Sequence, residues 1–146
     1  MTASRAASAS GRAIDVAPRT QESYGVAEAS AEPFRISERD QDGVRVLAVA
    51  GELDLATSPA LCERLEERED GRAARVLVDL TRVAFCDSTG LRALLGAAAD
   101  VRADGGAFAL ACRPDGDVAR LLEVVGARDW LTVYDDAAAA LAALRV

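Results

Sequence analysis

The chain has 146 residues, 51% of them hydrophobic and 28% charged, the size and balance of one domain with a single core. All 17 basic residues are Arg, set against 24 acids, and the net charge of −7 leaves no cationic surplus to neutralise phosphates, which argues against nucleic-acid binding. With no His and no Lys, the commonest general base, the commonest metal ligand and the Schiff-base nucleophile are missing, so carboxylates, hydroxyls and thiols are the only groups left for chemistry.

Residues 1–32 are Ala, Ser, Arg, Thr, Gln and Glu with isolated apolar residues and no sustained period of 2 or 3.6, a composition that buries too little surface to offset ordering entropy. They read as a flexible tail, and the domain is expected over 33–146. Phe34 to Ser37 reads as a first strand, joined through a polar turn at Asp40 to Gly43 to the Val-rich strand 44–51, making a β-hairpin. Ser58 as N-cap and Pro59 at N1 start a helix with Leu61 and Leu65 on its apolar side and Gly71 as its stop. Residues 75–80, RVLVDL, read as a buried strand. After the loop VAFCDSTG, residues Leu91, Leu94, Leu95 and Ala98 make the stripe of an amphipathic helix that ends at Gly105 and Gly106.

A strand at 107–112 follows, then a turn at Pro114 to Gly116 and a third helix with Val118, Leu121, Leu122 and Val125 on one side, ending before Gly126. Residues 130–134 read as a short strand. The last helix runs from Asp135 and Asp136 to Arg145, charges that suit its dipole, with Leu141 and Leu144 as anchors. The order is ββαβαβαβα, an α/β fold with right-handed crossovers. Sequential strand order gathers the helices mainly on one face and a reversing order spreads them over both, and pattern leaves the two open. In either case the loops after parallel strands share one sheet edge, which brings the GELD segment, Gly51 to Asp54, near the DSTG segment, Asp87 to Gly90.

Ser88 or Asp87 is expected to cap the helix that starts there, and a phosphate on Ser88 would face helix N–H groups and the positive end of the dipole. Asp54 and Asp87 are a pair of carboxylates with no His, Lys or cofactor loop beside them, so they read as local negative charge and not as acid–base catalysts. Glu63, Glu66, Glu67, Glu69 and Asp70 read as a solvated acidic face. Cys62, Cys86 and Cys112 are odd in number and singly placed, unlike a zinc site or a disulfide scaffold, and fit a reducing cytoplasm. Cys86 reads as a buried thiol whose pKa is raised by neighbouring acids. No stretch is long and apolar enough to span a membrane, and no signal-peptide core opens the chain.

The segments FRISERDQDGVRVLAVAGELDLATSPAL and VLVDLTRVAFCDSTGLRALL together closely resemble the STAS-domain anti-anti-sigma factors of bacteria, over residues 34 to 146. The resemblance implies a short mixed or parallel sheet of about five strands with helical crossovers, which favours sequential strand order. It also implies a partner switch: the unphosphorylated protein binds an anti-sigma factor that is a serine kinase, frees the sigma factor, and is released by phosphorylation. In this chain the acceptor would be Ser88, with Thr89 as the second hydroxyl position, Asp54 as the acidic loop residue, and Asp87 and Gly90 flanking in the motif. A phosphatase acting on phosphorylated Ser88 would reset the switch. No cofactor, metal or catalytic residue is implied, and the competing reading is a STAS scaffold subunit of a signalling or lipid-transport assembly.

Overall fold

A computed structural model describes residues 32–67 and 74–145. Asp42 and Gly43, with φ of 55° and 81°, form the two-residue turn of a β-hairpin, a conformation that needs positive φ at both positions and fits Asp-Gly. The turn therefore begins two residues later than the sequence suggested, and β1 (Arg35–Gln41) continues antiparallel to β2 (Val44–Leu53) right up to it. The chain goes on through α1 (Ser58–Glu66), β3 (Arg75–Cys86), α2 (Ser88–Ala103), β4 (Ala107–Ala111), α3 (Asp117–Val124), a 3₁₀ turn at Ala127–Asp129, β5 (Thr132–Tyr134) and α4 (Ala137–Leu144). Of the expected tail, 1–32, residues 1–31 lie outside the described residues, as does the expected stop at Gly71, while Glu32 is described and pairs with Arg35 and Arg82.

The five strands lie in the order β1-β2-β3-β4-β5, parallel from β2 onward, so the sequential alternative holds and the expected ββαβαβαβα succession is observed. Side chains alternate across each strand, and the two faces build two cores. On one face Leu47, Val49, Val76, Val78, Phe108 and Leu110 meet α1, α2 and α3 through Leu61, Leu65, Leu91, Leu94 and Leu122. On the other, Val44, Val46, Leu77, Ala109 and Ala111 meet α4 through Ala140, Leu141 and Leu144, so both predicted anchors are buried.

Three helices on one side and a short Ala-rich one on the other follow from residue size. The sheet positions facing α4 include two alanines, over which a helix of small residues sits close. Asp136 caps α4, accepting from the Ala139 N–H at 2.8 Å.

Four further sequence expectations change. Strand β3 does not stop at Leu80 but runs to Cys86, so the segment read as a loop is strand. Helix α3 ends one residue short of expectation: Val125 is its half-exposed C-cap, and Trp130, expected in β5, lies outside that strand and is 69% exposed. Helix α1 begins at Ser58, with Thr57 at the cap position, so Ser58 is not its N-cap.

A charged cluster fastens the hairpin to α1. Glu38 accepts from Arg45 at 2.6 Å and from Arg64 at 2.9 Å, while Arg45 also donates to the backbone carbonyls of Arg64 and Glu67 at the end of α1. The bond from Arg45, aided by Arg64, holds the Glu38 carboxyl below its ordinary range against the opposing effect of burial.

Candidate functional site

Leu53 and Cys86 are paired in the parallel register at the ends of β2 and β3, so the next residues, Asp54 and Asp87, leave the sheet side by side. Adjacent strands lie about 4.8 Å apart, which sets the spacing of the two backbones. A bond from the Asp87 N–H to the Leu53 carbonyl, 3.1 Å, ties the two strand ends together. The GELD and DSTG segments thus meet on one edge, as the parallel topology required.

Each aspartate is half-buried and turns its carboxylate back on its own chain. Asp87 is the N-cap of α2: its Oδ1 accepts from the N–H groups of Thr89 at 2.9 Å and Gly90 at 3.1 Å. Asp54 Oδ1 accepts from the N–H groups of Ala56 at 3.0 Å and Thr57 at 3.1 Å, closing a turn ahead of α1. The Asp54 N–H donates to Thr57 Oγ1, which itself donates to the Glu52 carbonyl. Both carboxylates are therefore structural groups that also leave negative charge on the edge.

Ser88 is the first residue of α2 and is exposed, its capping duty taken by Asp87, so its hydroxyl is open to a second protein. Thr89, one position on, is half-buried toward α1, and Gly90 is buried. A Cβ on Gly90 would sit 2.8 Å from Leu53 Cγ and 3.0 Å from the Leu53 carbonyl oxygen, so glycine lets the first turn of α2 rest directly on the end of β2. The Cys86 thiol beside it is pushed up to about 12, first by burial and then by Asp87 and Asp117, as befits a packed, protonated group.

The expected surroundings of a phosphate are narrower than the sequence implied. The N–H groups of Thr89 and Gly90 already serve Asp87, and that of Leu91 donates to the Asp87 carbonyl at 3.0 Å. A charged group on Ser88 Oγ meets the favourable end of the helix dipole, with Asp87 next to it in the chain and Arg92 one helical turn further along α2.

Beside this edge a groove of about 390 Å³ runs between α1 and α2. Its walls include Leu55, Ser58 and Cys62 on one side and Thr89, Ala93 and Gly96 on the other. Two of these residues carry information missed in the sequence. Ser58 is 3% exposed and its hydroxyl has no hydrogen-bond partner among the described residues. Gly96 stands in the middle of α2 with nothing within 4 Å of where its Cβ would be, although glycine there costs the helix about 1 kcal/mol relative to alanine. The readable signal was a lone glycine seven residues after Thr89, on the same helical stripe. Among the described residues no cluster of His, Cys, Asp or Glu has the arrangement to hold a metal, and no helix is long and apolar enough to cross a membrane.

The STAS domain family model matches residues 35–140. An anti-sigma-B factor antagonist of Listeria monocytogenes is 35% identical over 100 residues, 68% of this chain and 86% of that protein. An anti-sigma F factor antagonist of Paenibacillus polymyxa is 31% identical over 105 residues, 71% of this chain and 89% of the relative. The crystal structure of an anti-sigma factor antagonist from Mycobacterium paratuberculosis superposes with a TM-score of 0.69 at 29% identity, covering 80% of this chain and 99% of that one. A five-stranded mixed sheet with this strand order, the two strand-end aspartates and these relatives lead to one assignment: the chain belongs to the STAS domain family, among its anti-sigma factor antagonists.

Proposed function

We propose that this chain is a phosphorylation-controlled anti-anti-sigma factor. Unphosphorylated, it binds an anti-sigma factor that is also a serine kinase, and the sigma factor held by that kinase is set free. The kinase ends the interaction by transferring the γ-phosphoryl group of ATP to Ser88 Oγ. The new P–O bond forms as the bond to ADP breaks, and the hydroxyl proton passes to a base of the kinase. A phosphatase restores the hydroxyl. The switch operates in the cytoplasm, and residues 33–146 carry it without the segment before them.

One observation carries this reading: Ser88 stands exposed at the start of α2 while Asp87 alone performs the capping that would otherwise occupy a serine in that place. The chain supplies an acceptor and a docking edge rather than catalysis, since it has no His or Lys and both carboxylates on the edge are committed to backbone N–H groups. Phosphorylation adds about −2 beside Asp54 and Asp87, a charge the dipole of α2 tolerates within the domain and a docked partner does not.

The test is calorimetric titration of a candidate anti-sigma serine kinase from the same genome with three forms of this chain: unmodified, phosphorylated, and Ser88→Ala. The unmodified and Ser88→Ala forms should bind alike. Phosphorylation should weaken binding by about 2–3 kcal/mol, roughly 30- to 150-fold, with the melting temperature nearly unchanged. Fragment mass analysis should place the phosphate on Ser88 alone. Equal affinity of the phosphorylated and unmodified forms, or stoichiometric phosphate on Thr89 surviving in Ser88→Ala, would falsify the proposal.

A further inference from the structure

We propose that the groove between α1 and α2 receives an amphipathic helix of the anti-sigma partner, packed across Gly96 with a basic flank toward the acidic far end of the groove; the proposal rests on the partner-switch reading and says where that partner docks.

Glycine in mid-helix costs the helix stability and is ordinarily explained by close contact within the fold, which Gly96 does not make. Its φ is not positive, and the space its Cβ would fill is open. The opening lies on the stripe of Thr89, Ala93 and Gly96, small residues that let a second helix approach the backbone of α2 closely. Across the groove lies the Ser58 hydroxyl, shielded from water yet unpaired, a buried polar group that a docked segment can satisfy.

Position ties the groove to the switch. Helices α1 and α2 follow neighbouring parallel strands, so they start together at the Ser88 edge and run the same way. Leu55, 72% exposed, and Thr89 lie at the end nearest Ser88, and the exposed Glu66 and Asp100 at the far end. Glu66 and Asp100 make the far end of the apolar channel acidic, Asp54 and Asp87 stand outside its lining beyond the near end, and Arg92 is the cation in its wall. A helix with an apolar face and Arg or Lys at the flank that meets Glu66 and Asp100 matches that order of charges, in keeping with a chain of net charge −7. Seated there, its near end abuts Ser88, which is how a phosphate on one hydroxyl reaches the whole contact.

The experiment uses the full chain and the same kinase, with Gly96→Leu filling the groove, Gly96→Ala as the small control, and Glu66→Arg with Asp100→Arg as a separate pair. Gly96→Leu should weaken binding by about tenfold or more while the melting temperature holds or rises. Gly96→Ala should stay within about threefold. The charge-reversed pair should bind more weakly at low salt and lose most of its salt dependence. Hydrogen exchange on the kinase should show one protected helix. If the unmodified chain binds and is released by phosphorylation but Gly96→Leu binds equally well, the groove is not the docking site and the switch survives. If the unmodified chain does not bind the kinase at all, both proposals fall. A chain that sediments as a dimer, dispersed by Gly96→Leu, would assign the groove to a second copy and overturn the proposal.

Discussion

Ser58 and Ser88 each open a helix on the same edge of the sheet, each shortly after an aspartate that ends a strand, yet one hydroxyl is buried and unpaired and the other stands in solvent. The difference lies in the number of residues between acid and helix. Asp87 directly precedes α2, so its carboxylate reaches the N–H groups of the first turn and Ser88 is left with no structural task. Asp54 stands four residues ahead of Ser58. Its carboxylate closes a turn at Ala56 and Thr57, its carbonyl accepts the Ser58 N–H at 2.8 Å, and the extra turn rotates Ser58 under the groove. A capped, exposed serine suits modification by another protein, whereas a buried, unpaired one suits contact with it.

The sharpest way to break this arrangement is at Gly90, which allows α2 to start so close to β2. Gly90→Ala places a methyl 2.8 Å from Leu53 Cγ and 3.0 Å from the Leu53 carbonyl, and Leu53 is fully buried. Overpacking of this kind should cost about 1–3 kcal/mol in chemical denaturation, despite the better helix propensity of alanine. Because α2 must move off the strand end, phosphorylation of Ser88 by the kinase should also slow. A variant as stable as the parent would mean that the start of α2 yields freely and the edge is not preorganised.

Much of this edge was legible beforehand for a physical reason: Asp, Ser, Thr and Gly ahead of an apolar helical stripe leave few ways to satisfy the first N–H groups. The parallel order then fixes which loops meet. The six added residues of β3 were less legible, because β3 pairs with β2 through two register shifts, between Ala48 and Ala50 and between Gly51 and Glu52. Each shift breaks the period of two, so that Val83 and Cys86 are buried with Ala84 and Phe85 exposed between them. Ser58 was misread because Thr57 and Ser58 offer the same cap chemistry in succession, and only the Asp54 turn decides which comes first. The groove leaves only the lone Gly96 as its trace, because an open space has no periodic pattern of its own.

Removing the caps should have the next largest effect. Asp87→Ala strips the acceptor from two N–H groups and should destabilise the domain by about 0.5–2 kcal/mol, with Asp87→Asn recovering most of the loss through its remaining Oδ1. Asp54→Ala should cost a comparable or smaller amount, on the order of 1 kcal/mol, since the backbone bonds from Thr57 and Ser58 to the Asp54 carbonyl survive it. Melting curves and denaturant titrations of the four single variants give the comparison directly. If Asp54→Asn and Asp87→Asn keep stability but weaken kinase binding, the charge on the edge matters to the partner beyond its capping role. If they bind as the parent does, the carboxylates act through geometry alone.

The smallest effect, and the one with an unusual sign, belongs to Ser58. A serine that caps a helix loses about 1 kcal/mol when changed to alanine. Ser58 is not a cap, and its hydroxyl is shielded without a partner, a state that itself costs free energy. Ser58→Ala should therefore leave stability unchanged or raise it by up to about 1 kcal/mol, the removed polar group and the better helix former outweighing the loss of one small atom from the packing. Affinity for the kinase should move the other way, falling a few-fold, about 1 kcal/mol or less, because the docked helix loses the hydroxyl it would satisfy. Measured on the same preparation, the two signs separate the two serines: Ser88→Ala should change neither stability nor binding and should abolish phosphorylation. A loss of more than about 1 kcal/mol of stability in Ser58→Ala would mean that its hydroxyl is bonded within the fold, and the contrast between the two helix starts would not hold.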